Sequence, residues 1–122
     1  MMGYHMAERT RIKQGQLYWV DAEPHAGHEE GVHSHLAGNI RRPVVVVSNE
    51  QYNQSGMAIV FPVTSKKQHS RYLLPVMAKR PSSIILTQVL GYDMIARNAT
   101  DMGVSVSKLQ LDYLRKIIQR LL

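Results

Sequence analysis

The chain has 122 residues, of ordinary globular composition, with 15 Lys and Arg against 9 Asp and Glu for a formal charge of +6. That length supports one domain with a core of its own, and the basic balance favours contact with phosphate polymers over acidic partners. The lack of Cys excludes disulfides and thiolate–zinc sites, and no apolar run is long enough to span a bilayer, so the expected setting is a reducing cytoplasm without membrane association.

Residues 1–12 contain no apolar core of a signal peptide and are expected to be a disordered lead-in to a single domain at 13–122. Gly15 then supplies a turn before Gln16-Leu17-Tyr18-Trp19-Val20-Asp21, whose β-branched and aromatic residues predict the first strand. Trp19, the only Trp, is expected to fill core.

From 22 to 40 the periodicity vanishes, leaving Pro24, three Gly and four His among polar residues. A stretch this long without pattern is a functional loop or a disordered one. His28, His33 and His35 with Glu29 and Glu30 are chemically competent to ligate zinc or nickel. Yet His-x-His on a loop lacks fixed geometry, so no metal or other cofactor is expected, and one His is assigned instead to a neighbouring site.

The centre of the chain is 41–65. Four consecutive valines, Val44 to Val47, disfavour a helix and predict a strand buried on both faces. Polar turn residues Asn49, Asn53, Ser55 and Gly56 separate it from a second apolar run at 57–63. An antiparallel pair of this kind puts Arg41 and Arg42, where the first strand begins, at the same end of the sheet as Thr64 and Ser65, where the second ends. The connection that follows, Lys66-Lys67-Gln68-His69-Ser70-Arg71, carries no acid and reads as a solvated turn or a phosphate-contacting rim. Further strands are predicted at 72–77, with Pro75 confining it to an edge or bulge, and at 83–90, followed by a short helix at 92–96.

The last segment predicts a helix. Ser107 with Gln110 forms a capping-box start, and Leu111, Leu114, Ile117, Ile118 and Leu121 recur at helical spacing. Short strands early and one long helix late indicate a β-rich α+β domain, a compact half-open barrel. There is no internal repeat and no low-complexity tract.

Taken in order, Gly15-Gln16-Leu17-Tyr18-Trp19-Val20-Asp21, Pro24, Gly27-His28-Glu29, Arg42-Pro43-Val44-Val45-Val46, Tyr52-Asn53, Pro62-Val63-Thr64-Ser65 and Gln88 with Asp93 resemble the MazF/PemK (Kid) family of toxin endoribonucleases. The resemblance runs from Gly15 to the C-terminal helix. It implies an SH3-like small β-barrel of CcdB/PemK type with a C-terminal α-helix, a homodimer, and metal-independent, sequence-specific cleavage of single-stranded RNA. It implies too an antitoxin whose acidic, disordered tail occupies the RNA groove. Arg42 and Thr64 match the family's catalytic Arg and Thr, and His28 a histidine of PemK-type members. Glu29, Arg41, Ser65, Lys66, Lys67, Arg71 and Gln88 are the expected RNA contacts, with Arg41 open between phosphate ligand and solvated neighbour.

The chain departs from the family in a longer segment between Glu29 and Arg42 and in Ile85-Leu86-Thr87, where PemK-type members carry an Arg and an Asp. Where many members show Gln-x-Arg, it has Gln88-Val89-Leu90. A CcdB-like, non-enzymatic gyrase poison and a catalytically silent RNA-binding module are therefore the alternative expectations.

Overall fold

A computed structural model of the protein describes residues 11–22, 40–66 and 70–122. The residues before 11, most of the His-rich segment and 67–69 lie outside the described part, and with them His28, Glu29, Lys67 and all of the expected lead-in but its last two residues, of which Ile12 is buried.

Strand β1 (Gln16–Asp21) pairs antiparallel with β2 (Arg41–Val46), Leu17 opposite Val45 and Asp21 opposite Arg41. Strand β2 pairs with β3 (Met57–Thr64), Val44 opposite Pro62. The eight residues of β3 serve two neighbours along their other edge. Its first half holds β6 (Leu90–Asp93), and its last two residues, Val63 and Thr64, hold β5 (Pro81–Ile85). Strand β4 (Leu73–Met77) forms the outer arm of a hairpin with β5, and β7 (Thr100–Ser105) closes the other side against β1. The order β4-β5-β3-β2-β1-β7, with β6 beside β3, is a curled antiparallel half-barrel.

The valine run is buried on both faces, as its composition predicts. Val45 and Val47 join Leu17, Phe61, Ile84 and Leu114 in one core, while Val44 and Val46 join Tyr18, Val20, Val60 and Met94 in another. Helix α2 (Lys108–Leu121) packs Leu111, Leu114, Ile117 and Ile118 on the first core; it follows the four-residue helix α1 (Glu50–Asn53) in chain order. Leu121, assigned to the same stripe, is instead 65% exposed in the last turn.

The predicted elements shift in four places. The turn between β2 and β3 contains α1, because Asn49 Oδ1 caps it by accepting from the Tyr52 amide at 2.9 Å. Asn53 ends it inside the protein, its amide donating to the carbonyls of Ile12 (3.1 Å) and Ser48 (3.0 Å). The strand expected over 83–90 is interrupted by a turn at Leu86 and Thr87, so that one apolar run serves both β5 and β6. Tyr92 and Asp93 belong to β6 and the expected helix is a turn, closed where Asp93 accepts from the amides of Ala96 and Arg97 at 3.0 Å. Strand β7 has no clear pattern of its own: Gly103 sits at φ 75° and its ladder with β1 is irregular. Pro75 lies on the outermost strand, where its missing N–H costs no ladder bond.

Candidate active site

A cleft of about 200 Å³ opens where β2 begins and β3 ends. Continuing the β2–β3 register two residues past the Val44–Pro62 pair brings Arg42 level with Thr64, and both line the cleft. Residues separated by an even number along a strand share a face, so the two side chains leave their strands on the same side. Arg42 is exposed, while Thr64 is half-buried with Oγ1 accepting from the Lys66 amide at 3.2 Å. That bond uses a lone pair and leaves the hydroxyl proton available to donate.

Ser65 and Lys66 line the same cleft, as expected, and so do Trp19, Ala78, Arg80 and Ser82, which sequence reasoning had not placed there. Trp19 shares the face of Leu17 on β1 but lies past the core at 36% exposure, against the expectation that it fills core, beside its β2 partner Pro43 at the cleft wall. Arg80 arrives by topology. The β4–β5 hairpin returns antiparallel with Met77 opposite Pro81, so its turn projects beyond the Thr64–Ser83 pair. Its only signal in the sequence is a Lys-Arg-Pro-Ser turn between the two predicted strands at 72–77 and 83–90.

Arg41 also lines the cleft, but its guanidinium is committed elsewhere. One terminal nitrogen donates to Asp21 Oδ1 at 2.9 Å and to the Asn98 carbonyl at 2.8 Å, and the other to Thr100 Oγ1 at 2.7 Å. The Asn98 side-chain amide, at 2.8 Å from Asp21 Oδ2, and Arg41 together hold the Asp21 carboxyl below its usual range. The Arg41 side chain, left open between phosphate ligand and solvated neighbour, clamps the ends of β1, β2 and β7.

Arg71 and Gln88 are not among the cleft residues. Arg71 stacks over the Tyr72 ring, 5.0 Å from its centroid, at the end of the β4–β5 hairpin remote from Arg80. Gln88 is exposed in the β5–β6 turn.

No described residue lining the cleft is acidic, so Arg42, Lys66 and Arg80 give it an uncompensated positive field. A larger depression of about 400 Å³ lies between α2 and the β2–β3 connection, around Gln14, Asn49, Tyr52 and Gln119. It contains one cation, Arg115, and no grouping suited to proton transfer or anion binding comparable to the first.

Residues 13–122 match the family described as PemK-like, MazF-like toxin of type II toxin-antitoxin system. The endoribonuclease toxin MazF of Escherichia coli K12 is 31% identical over 109 residues, covering 87% of this chain and 91% of the relative. The endoribonuclease toxin ChpB of the same organism is 28% identical over 109 residues, covering 84% and 88%. Among solved structures, MazF of Deinococcus radiodurans superposes with a TM-score of 0.68 at 26% identity, covering 90% of this chain and 94% of that one. A chain of a MazE–MazF structure of the same organism shares the fold, with a TM-score of 0.67 at 20% identity and coverage of 91% and 95%.

Proposed function

Because the chain belongs to the PemK-like, MazF-like toxins of type II toxin–antitoxin systems, we propose that it is a metal-independent endoribonuclease that cuts single-stranded RNA at the Arg42–Thr64 cleft. The observation that carries this is the convergence of Arg42 and Thr64, 22 residues apart in sequence, on one basic cleft with no acid among its described residues. At about 200 Å³ the cleft is smaller than the roughly 300–1,000 Å³ of most small-molecule sites. It accommodates a phosphate and part of a ribose, leaving the bases to the surrounding surface.

The reaction is an internal transesterification. The ribose 2′-oxygen loses its proton and attacks phosphorus, the P–O5′ bond breaks, and the 5′-oxygen takes up a proton, leaving a 2′,3′-cyclic phosphate. Arg42 holds two non-bridging oxygens with its planar fork and stabilises the charge that builds on them. Thr64 donates its hydroxyl proton to the phosphate and keeps it in line. None of the described cleft side chains has an unperturbed pKa near neutrality, so proton transfer is assigned to His28, whose imidazole does. Glu29 and Lys67 complete the RNA contacts in this assignment. Recognition of the 2′-hydroxyl makes DNA a non-substrate.

Purified protein incubated with a long unstructured RNA in EDTA is expected to yield discrete fragments ending in 2′,3′-cyclic phosphate. Arg42→Ala is expected to lower the rate by about 10²-fold or more. A deoxynucleotide at the cut site should abolish cleavage there. RNA left intact by the wild type overturns the proposal, and DNA breaks in expressing cells with whole transcripts would transfer it to a gyrase poison.

The same proposal includes a homodimer in the cytoplasm and an antitoxin whose acidic tail competes with RNA for the cleft. The supporting features are the family's toxin–antitoxin pairing and the cleft's positive charge. Sedimentation of the free protein, and inhibition of cleavage by the product of the adjacent open reading frame, test these two parts.

A further inference from the structure

The transition state of this cleavage carries two negative charges on the non-bridging oxygens, and one guanidinium neutralises only one of them. Arg41, the nearest cation in sequence, is bound to Asp21, Asn98 and Thr100. The wall opposite Arg42 carries another guanidinium. Arg80 sits on the β4–β5 turn, where Lys79 adopts a left-handed φ of 69° and the Arg80 carbonyl accepts from the Ala78 amide and the Ser82 hydroxyl, both at 3.0 Å. Its backbone is thus held on three counts. Its side chain reaches across to Ser65, one terminal nitrogen donating to Oγ at 3.1 Å.

Resting on the endoribonuclease proposal, we infer that Arg80 is a second catalytic guanidinium, contacting the scissile phosphate from the wall facing Arg42 with Ser65 as its positioning residue. Three features carry this. No acidic residue lines the described cleft, so Arg80's charge meets only a neutral hydroxyl there. Arg42 and Arg80 line one cleft of about 200 Å³, so both guanidiniums are placed to address a phosphate bound in it. The Ser65 oxygen accepts from Arg80, which directs its own proton away from the guanidinium, towards the anion. In this role Arg80 neither gives nor takes a proton.

Two measurements on the purified full chain test it. The first is single-turnover cleavage of an RNA oligonucleotide containing the cut site. The second is the salt dependence of binding to the same oligonucleotide with a 2′-deoxy substitution at that site. Arg80→Ala is expected to lower the cleavage rate by about 10²-fold or more, and to reduce the slope of log affinity against log salt by about 0.7, one phosphate contact on a single strand. Arg80→Lys should recover the slope but not the rate, since an ammonium replaces the charge without the fork. Ser65→Ala should lower the rate while leaving the slope intact. Lys116→Ala, on the outer face of α2, should change neither.

Unchanged rate and slope in Arg80→Ala, with a wild type that cleaves, overturn the assignment of Arg80 and leave the endoribonuclease standing. If the wild type cleaves nothing, the endoribonuclease proposal fails and the slope decides alone: a loss of about 0.7 retains the Arg80 phosphate contact, and no loss removes it. Thermal unfolding of Arg80→Ala should match the wild type, because the exposed side chain gives up a hydrogen bond to a surface hydroxyl.

Discussion

Arg41 and Arg42 are adjacent cations with different work, and the pleat separates them. Consecutive side chains on a strand leave on opposite faces. Both line the cleft where β2 begins, but the Arg41 guanidinium is bound to Asp21, its cross-strand partner, and to Asn98 and Thr100, whereas Arg42 is exposed. The depressed pKa of Asp21 makes this clamp pH-sensitive, with a definite sign. Its stabilising contribution is complete above the unfolded value of 3.8 and is lost as pH falls through the lower folded value. Asp21→Asn is therefore expected to lower the melting temperature at pH 7, and the gap to the wild type should close in acid well below pH 3.8. A gap that stays constant in calorimetric scans down to the acid limit would rule out the charged form of Asp21 as the source of that stability.

At the scale of elements, the ends of helices and strands carry specific and testable contributions. The Ser107 hydroxyl accepts from the Gln110 amide at 3.1 Å, and the Gln110 side chain accepts from the Ser107 amide at 2.8 Å, a complete capping box. Ser107→Ala should cost about 1 kcal/mol in denaturant titration. Gly56, entering β3 at φ 90°, strains any side chain placed there: an added Cβ would stand 2.9 Å from Ile95 Cδ1, which would have to shift. Gly56→Ala is expected to destabilise by about 1–3 kcal/mol, combining left-handed strain with displacement of Ile95. The β4–β5 turn acts differently, since Lys79 holds a left-handed backbone without being Gly. Lys79→Gly should relieve that strain and loosen Arg80, giving slower cleavage without loss of stability.

For the whole molecule, one sheet separates two cores, and the site lies where the strands between them end. Leu114 is fully buried beneath α2 and couples the helix to Leu17, Phe61 and Ile84. Leu114→Ala should cost about 2–5 kcal/mol, measured by chemical unfolding, as a large-to-small change in a packed core. Since α2 packs on the sheet and does not line the cleft, the surviving folded fraction should cleave RNA at the wild-type rate. The helix, the doubly buried valine strand and the alignment of Arg42 with Thr64 could be anticipated from local order, because each follows from a short-range period or from the antiparallel return of one hairpin. The commitment of Arg41, the exposure of Trp19, the strand at Thr100–Ser105 and the arrival of Arg80 could not. Each depends on which distant backbone lies alongside, and a linear order of residues does not encode that until the sheet has curled and brought its edges round to the same rim.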